Sequence, residues 1–155
     1  MEINLSSIKQ TFGQDEQTSQ VTVTLNGSSN DYSGDYLSSQ VTVTSKDLPD
    51  GTSLDNMLND EIEALARKKQ AAYAEGTMPI RASSVNRVYD QQTQQIANVV
   101  VSLLGNVTDG SGDYINFRTT ITKEDLPSDK IFATLTAADL KALAKDKLVE
   151  ATKVA

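Results

Sequence analysis

A six-residue segment with two aspartates and a serine occurs twice in the chain. Its copies are Asp31-Tyr32-Ser33-Gly34-Asp35-Tyr36 and Asp109-Gly110-Ser111-Gly112-Asp113-Tyr114. In each copy, Asp, Ser and Asp stand at alternate positions, which is the spacing of the first oxygen ligands in a calcium-binding loop. The candidate metal ligands are therefore Asp31, Ser33, Asp35, Asp109, Ser111 and Asp113.

The resemblance to a calcium loop ends after these three positions. The sixth residue is Tyr36 or Tyr114 where the loop requires glycine, and the twelfth is Thr42 or Thr120 where it requires a bidentate glutamate. A β-hairpin turn in which the Ser-Gly pair provides a residue with positive φ accounts for the same letters. We therefore predict two hairpin turns without a metal, with Tyr36 and Tyr114 starting the strands that follow and covering the sheet.

Few other residues have types that could do chemistry. The chain contains no Cys and no His, which excludes Ser-His and Cys-His nucleophiles, the usual zinc sites and the commonest general base. Two pairs of acids, Asp60 with Glu63 and Asp47 with Asp50, have a spacing that acid-base catalysis could use, but solvated helix or turn positions explain them. We predict a protein that is not an enzyme and has no cofactor.

The elements that position these residues are repeated along the chain. Gly34-Asp35-Tyr36 recurs as Gly112-Asp113-Tyr114, and Asp47-Leu48-Pro49 recurs as Asp125-Leu126-Pro127, both 78 residues later. The same displacement relates many apolar positions, for example Val21 and Val99. We predict one domain over residues 1–155 made of two repeats, 1–77 and 78–155.

Each repeat contains three segments with the period-two alternation of a strand. Val21, Val23 and Leu25 alternate with threonines, and Leu37, Val41 and Val43 share one face of the next segment. The first segment of each repeat changes phase at Ser6-Ser7 and at Ser83-Ser84, which predicts a β-bulge, because an extra residue moves the later side chains to the other face. Short polar connections predict antiparallel neighbours.

A helix follows the strands in each repeat. The second is expected to begin at Thr136, whose spacing to Asp139 resembles a capping box, and the first should bury Leu54, Leu58, Ile62, Leu65 and Ala66 on one face. The predicted fold is α+β, an internal duplication of a β-β-β-α unit. Two helices pack on one face of the antiparallel sheet or sheets, about a pseudo-twofold axis.

The sheet surface opposite the helices, which we call the open face, should carry small polar groups. Its expected members are Thr22, Thr24, Thr42, Thr44, Ser102, Asn116, Thr120 and Thr122. Val100 and Leu104 interrupt this polar pattern and predict that a second subunit or another protein covers the face. The expected partner-binding residues are therefore Val100, Leu104, Tyr36 and Tyr114.

The charge is unequally distributed. Residues 1–77 carry 12 acidic and 5 basic side chains, whereas residues 78–155 carry 9 of each, so the net charge of −7 resides in the first repeat. This charge suits a soluble protein, or an acidic inhibitor that occupies a nucleic-acid-binding surface on a partner protein. Direct binding of nucleic acid is disfavoured, because the chain has no basic stripe.

Two functional classes follow. The favoured one is a non-enzymatic protein-interaction or structural accessory protein, including the phage type, which binds a protein partner or self-associates. The acidic inhibitor is the alternative. The sequence has no apolar run of membrane-spanning length and no basic, apolar start typical of export signals, so we expect a cytoplasmic protein that binds neither membrane nor nucleic acid.

Overall fold

The computed structural model describes residues 1–154 and, within them, one antiparallel sheet of six strands in the order β1-β2-β3-β6-β5-β4. The strands are β1 (Glu2–Phe12), β2 (Thr18–Ser28), β3 (Tyr36–Thr44), β4 (Ile80–Tyr89), β5 (Ile96–Asn106) and β6 (Tyr114–Ile121). The predicted α+β class is confirmed. The halves share one sheet because β3 pairs with β6, from Tyr36 opposite Arg118 to Gln40 opposite Tyr114.

Two helices, α1 (Asn59–Ala72) and α2 (Ala137–Thr152), cover one face of this sheet. The inward side chains of α1 and α2, among them Ile62, Ala66, Leu140 and Leu148, are at most 1% exposed. They meet the strand residues Val21, Val99 and Ile121, which are completely buried. No helix within residues 1–154 combines the length and apolar character needed to cross a membrane.

The two predicted β-bulges are confirmed. The pairing of β1 with β2 shifts between Leu5 and Ser7, and the pairing of β4 with β5 shifts between Ala82 and Ser84. One serine of each pair is therefore the additional residue, as the change of phase in the sequence indicates. Both bulges lie on the outermost strands, because β1 and β4 are the edges of the sheet.

The prediction for the first helix is wrong at its start. Leu54 is buried in a separate single turn of 3-10 helix, Leu54–Asn56, and Leu58 precedes α1 with 65% of its surface exposed. The chain is extended at Met57 and Leu58, which rotates Leu58 away from the core.

The capping box of α2 is confirmed, since the Asp139 amide donates to Thr136 Oγ1 at 3.2 Å and the Thr136 amide donates to Asp139 Oδ2 at 2.9 Å.

An aspartate fixes the chain in each half where it leaves the sheet. Asp47 Oδ2 accepts from the Thr44 amide at 2.8 Å and lies 3.1 Å from Lys69 Nζ of α1. Asp125 Oδ2 accepts from the Thr122 amide at 2.8 Å and lies 3.0 Å from Lys147 Nζ of α2. One carboxylate therefore connects the end of a strand to the helix packed behind it. These are the residues of the Asp-Leu-Pro segments.

We predict that Asp125→Asn lowers the free energy of unfolding by about 1 kcal/mol at neutral pH, because it removes charge-assisted contacts that are partly screened by solvent. Burial alone would raise the pKa of Asp125, but the Thr122 amide and Lys147 outweigh it and hold the pKa below the usual value. A depressed folded-state pKa contributes stability that is complete above the unfolded value and lost as the pH falls through the folded value.

Urea unfolding as a function of pH checks this prediction. The difference between wild type and Asp125→Asn should shrink as the pH falls below about 4, the ordinary pKa of an aspartate. The exposed Asp129, changed to Asn, is the matched control and should show no comparable pH-dependent loss. A loss for Asp125→Asn that is the same at acidic and neutral pH would contradict the assignment.

Candidate functional site

Asp113 is a buried carboxylate at the junction of the two halves. It is 1% exposed and accepts three hydrogen bonds from the first half of the chain. The Thr42 amide donates to Oδ2 at 2.9 Å, Thr42 Oγ1 donates to Oδ1 at 2.6 Å, and the Tyr73 hydroxyl donates to Oδ2 at 2.6 Å. The carboxylate therefore bonds to β3 two residues beyond Gln40, the last β3 residue paired with β6.

Tyr73 reaches Asp113 from the wider helical turn, Tyr73–Thr77, that follows α1. Burial raises the pKa of Tyr73 far above its usual range, and the hydrogen bond to Asp113 raises it further. The phenol therefore stays protonated and donates. Both oxygens of Asp113 accept hydrogen bonds from the protein and the residue is 1% exposed, so the pair is engaged inside the fold and closed to solvent.

Asp35 makes the reciprocal contact from the first half to the second. The Thr120 amide donates to Asp35 Oδ2 at 3.0 Å, and Thr120 Oγ1 donates to Oδ1 at 2.7 Å. Within residues 1–154, no tyrosine donates a hydrogen bond to Asp35. The guanidinium of Arg118 lies 3.8 Å away, and the Asp35 side chain is 15% exposed. Each half therefore holds a threonine of the other half, but only Asp113 is sealed from water.

The remaining candidate metal ligands are engaged within their own turns. Asp31 accepts from the Ser33 amide at 3.1 Å and from Ser29 Oγ, and Asp109 accepts from the Ser111 amide at 3.0 Å. The serine hydroxyls in these turns, with these amides, hold the pKa values of Asp31 and Asp109 below their usual range. Ser33 and Ser111 accept from the amides of Asp35 and Asp113, at 3.2 Å and 3.3 Å.

This geometry matches the hairpin interpretation of the duplicated segment. Gly34 and Gly112 have φ of 76° and 80°, as predicted for the Ser-Gly pair. The carboxylates of Asp35 and Asp113 bond to strands of the opposite half instead of turning toward Asp31 and Asp109. Within residues 1–154, no group of three or more acidic side chains is arranged to hold a metal ion.

Gln40 and Arg118 form a second pair of contacts across the junction, which we did not predict. Gln40 Nε2 donates to the Gly112 carbonyl at 3.2 Å, and Arg118 Nη1 donates to the Ser33 carbonyl at 2.9 Å. Each is the one long polar side chain of its strand, and the two lie 78 residues apart in the sequence. That coincidence is the signal that would have identified them.

The predicted partner-binding residues lie on the open face. Tyr36 and Tyr114 begin β3 and β6, as predicted, and pair with Arg118 and Gln40 at the centre of the sheet. Val100 lies between Asn86 and Thr120 on the neighbouring strands, and Leu104 lies between Arg81 and Asn116.

Tyr36 is the most exposed of the four predicted partner-binding residues. Tyr36 is 37% exposed, and Tyr114, Val100 and Leu104 are half-buried.

Thr42 lies in register with Thr22 of the open face, but it adds no exposed polar surface there. Thr42 is 2% exposed, and its hydroxyl donates to Asp113. The residue is buried because the hairpin that carries Asp113 closes over the end of the pairing between β3 and β6. Thr22, Thr24 and Thr44 remain partly exposed, so the polar character of the surface persists around it.

The strands and the rest of the chain carry opposite net charge. The six strands contain one acidic residue, Glu2, and four basic ones, Lys9, Arg81, Arg87 and Arg118, for a net charge of +3. All residues outside the strands together have a net charge of −10, which gives the chain its total of −7. Of the strand cations, Lys9, Arg81 and Arg118 are in register with residues of the open face.

A pocket also lies between the turn that joins β4 to β5 and the segment that follows β6. Sequence reasoning did not identify it. The residues that shape it come from distant parts of the sequence, and among the repeated segments only Asp125-Leu126-Pro127 contributes to it, through Leu126. Comparisons of the chain with family models, with curated proteins and with solved structures gave no match.

We predict that Asp113→Asn lowers the free energy of unfolding by about 3 kcal/mol, because the amide of asparagine cannot accept all three hydrogen bonds in a buried site. Tyr73→Phe should cost about 1 kcal/mol, since it removes one donor. Chemical denaturation of each variant and of the double variant measures the coupling between the two side chains. The control is Asp109→Asn in the exposed turn, and an equal loss for Asp109→Asn and Asp113→Asn would contradict the prediction.

Proposed function

We propose that the chain is a non-enzymatic protein-interaction or structural protein, an accessory component of the kind that phages also encode. Its contact surface is the open face of the sheet. The proposal is supported by the observation that the polar side chains of the duplicated segments already make contacts within the protein. Asp35, Asp113 and Tyr73 are engaged across the junction, and Asp31 and Asp109 are engaged in turns. In the part of the chain that the structure describes, no helix or strand covers the side of the sheet opposite α1 and α2.

We further propose that the fold arose by internal duplication and that its halves are related by a pseudo-twofold axis between β3 and β6. The strand order β1-β2-β3-β6-β5-β4 is what such an axis produces. Contacts on either side of it are reciprocal and 78 residues apart, as in the bonds of Asp113 to Thr42 and of Asp35 to Thr120. One polypeptide would then present two similar surfaces as a single unit.

The occupant of the open face is a second copy of this chain, and the observation that carries this choice is the charge distribution. The strands have a net charge of +3, and the remainder of the chain has −10. Two open faces against each other would oppose like charges. Helices α1 and α2 each have a net charge of 0, so the negative charge lies in the turns and loops. An open face against the acidic turns and loops of another copy brings opposite charges together, which favours and orients association.

Val100 and Leu104 provide the apolar part of this contact. They interrupt a polar surface in the second half, while the residues 78 positions earlier, Thr22 and Asn26, are polar. Contact between unlike surfaces of identical chains is heterologous, so it generates closed rings or open filaments instead of an isolated dimer. The open face would thus give a structural protein its means of assembly.

The alternative function, an acidic inhibitor of a nucleic-acid-binding protein, has less support. Acidic side chains of the first half are dispersed in contacts of their own: Glu63 pairs with Arg67, Asp47 pairs with Lys69, and Asp55 accepts from Thr18. A surface that competes with nucleic acid needs a continuous acidic face, whereas β2, β3, β4, β5 and β6 contain no acidic residue.

Replacing Val100 and Leu104 with threonine tests the proposal. We expect the wild type to increase in mass with concentration, and the double variant to remain monomeric at about tenfold higher concentration, because the apolar surface is removed. Sedimentation velocity measures both. The matched control changes Thr22 and Asn26, the corresponding positions of the first half, to serine and should associate like the wild type.

Salt and charge reversal complete the test. Arg81→Glu, on the exposed edge of the open face, should weaken association at low salt, and the difference from wild type should shrink as ionic strength rises. A protein that stays monomeric at millimolar concentration contradicts self-association. Binding of a purified basic nucleic-acid-binding protein that is lost steeply with salt, but unaffected by the Val100 and Leu104 substitutions, would favour the acidic inhibitor.

A further inference from the structure

The pocket beside the β4–β5 turn has a volume of about 670 Å³, within the range of small-molecule sites. One wall is formed by the end of the β4–β5 hairpin, with Arg87, Tyr89 and Ile96. The other wall is the segment after β6, from Lys123 to Leu135, which contributes Lys130 and the buried Phe132. The pocket therefore combines apolar and aromatic surface with a small number of polar groups.

All the charged residues that line the pocket are basic. They are Arg87, Lys123 and Lys130. None of the three lies within 4.0 Å of a carboxylate among the described residues. The nearby acids Asp90 and Asp139 accept hydrogen bonds from backbone amides, those of Gln92 and Thr93 and that of Thr136, while Lys123 and Lys130 attract them only from beyond ion-pair distance. In a protein with a net charge of −7, three cations facing one cavity without an ion-pair partner indicate an anionic ligand.

The first half of the chain shows what occupies the equivalent place there. Two 3-10 turns follow β3 and two follow β6, and the second of each pair, Leu54–Asn56 and Phe132–Thr134, correspond to each other. Asp55 in the middle of that turn reaches the start of β2, where its two oxygens accept from the Thr18 amide at 3.1 and 3.2 Å. Asp55 also accepts from the Thr18 hydroxyl. In the first half, the carboxylate of Asp55 therefore bridges the gap between the 3-10 turn and the start of β2.

The second half lacks both members of this bridge. Ala133 stands where the first half has Asp55, and Ile96 stands where it has Thr18. Two lysines line this gap where the first half has neutral residues, since Lys123 and Lys130 correspond to Ser45 and Thr52, whereas Glu124, which corresponds to Lys46, does not line the pocket. The second half therefore lacks the internal carboxylate of Asp55, and its pocket lining has two lysines that could attract the carboxylate of a ligand.

We propose that this pocket binds a small organic carboxylate with an aromatic or aliphatic body. Its carboxylate takes the place that Asp55 occupies in the first half, with Arg87, Lys123 and Lys130 around it. Its body lies against Tyr89, Phe132 and Leu135. This binding activity is additional to association through the open face, and it rests on the equivalence of the two 3-10 turns.

The first experiment is an NMR titration of the full chain with 2-naphthylacetate and with its uncharged analogue 2-naphthylacetamide. We expect the carboxylate to shift the amide signals of Ile96 and of residues 123–135 with a Kd in the millimolar range or below. The amide should bind at least about tenfold more weakly, because charge-assisted hydrogen bonds are lost. Equal binding of the two compounds, or no shifts with 10 mM carboxylate, overturns the proposal.

Two substitutions separate this pocket from general surface binding. Ala133→Asp supplies the carboxylate that the first half has, so it should abolish the titration while the remaining signals stay dispersed as in the folded wild type. Lys130→Ala should weaken binding roughly threefold, the loss expected for one exposed charge. Asp55→Ala, which opens the corresponding gap in the first half where the lysines are absent, is the matched control. It should leave binding and its location unchanged.

A parallel titration distinguishes a free small molecule from a segment of another protein. The probe is the peptide acetyl-Phe-Asp-Glu-amide, which presents carboxylates and an aromatic ring on a peptide backbone. Weaker binding than 2-naphthylacetate is expected. Tighter binding at the same signals, abolished by Ala133→Asp, would overturn the small-molecule assignment and identify the pocket as a site for an acidic peptide.

Discussion

The sheet depends on carboxylates that bond to backbone amides across its centre. Strands β3 and β6 pair over only five residues each, which is a short seam for joining two three-stranded units. Asp113 bonds to the Thr42 amide and Asp35 bonds to the Thr120 amide, one beyond each end of the seam. Charge-assisted bonds of this kind are stronger than neutral ones, and those of Asp113 are shielded from water. This seam holds the halves in one sheet, and the two helices share one core on it.

The seam also explains why the halves need not be identical. Asp113 is sealed by Tyr73, whereas Asp35 is partly exposed and lies near Arg118. Gln40 and Arg118 make corresponding contacts with different chemistry. Two routes to the same geometry leave each half free to change elsewhere. The halves differ at Val100 and Leu104 and around the pocket, and the acidic excess lies in the first half.

Much of the fold was predictable from the sequence because burial on one face of a strand imposes a period of two. The alternation of Val21, Val23 and Leu25 identified β2, and the change of phase at Ser6-Ser7 identified a bulge that the pairing contains. The hairpin interpretation of the Asp-Ser-Gly-Asp segments was also correct at the level of backbone conformation, since Gly34 and Gly112 have positive φ. Local pattern was sufficient for these features because local sterics determine them.

Contacts between distant parts of the chain were not predictable in this way. The partner of Asp113 is Thr42, 71 residues away, and no periodicity encodes that distance. Leu58 fitted a helical stripe, but the stripe did not reveal that the helix begins one residue later and leaves Leu58 exposed. The pocket lies where the second half lacks a carboxylate. Ala133 is informative only by comparison with Asp55, which bridges the corresponding position in the first half. Such features required the strand order and the three-dimensional position of the 3-10 turns.

The bulges at Ser6 and Ser83 have a consequence for aggregation. They lie on β1 and β4, whose outer sides expose unpaired backbone donors and acceptors of the kind that recruit strands from other molecules. A bulge increases local twist and interrupts the regular row of these groups, so a straight foreign strand cannot match it along its length. Lys9 on one edge and Arg81 and Arg87 on the other add charge that opposes close pairing. Uncontrolled edge-to-edge fibre growth is thereby suppressed in a protein whose sheet has two free margins.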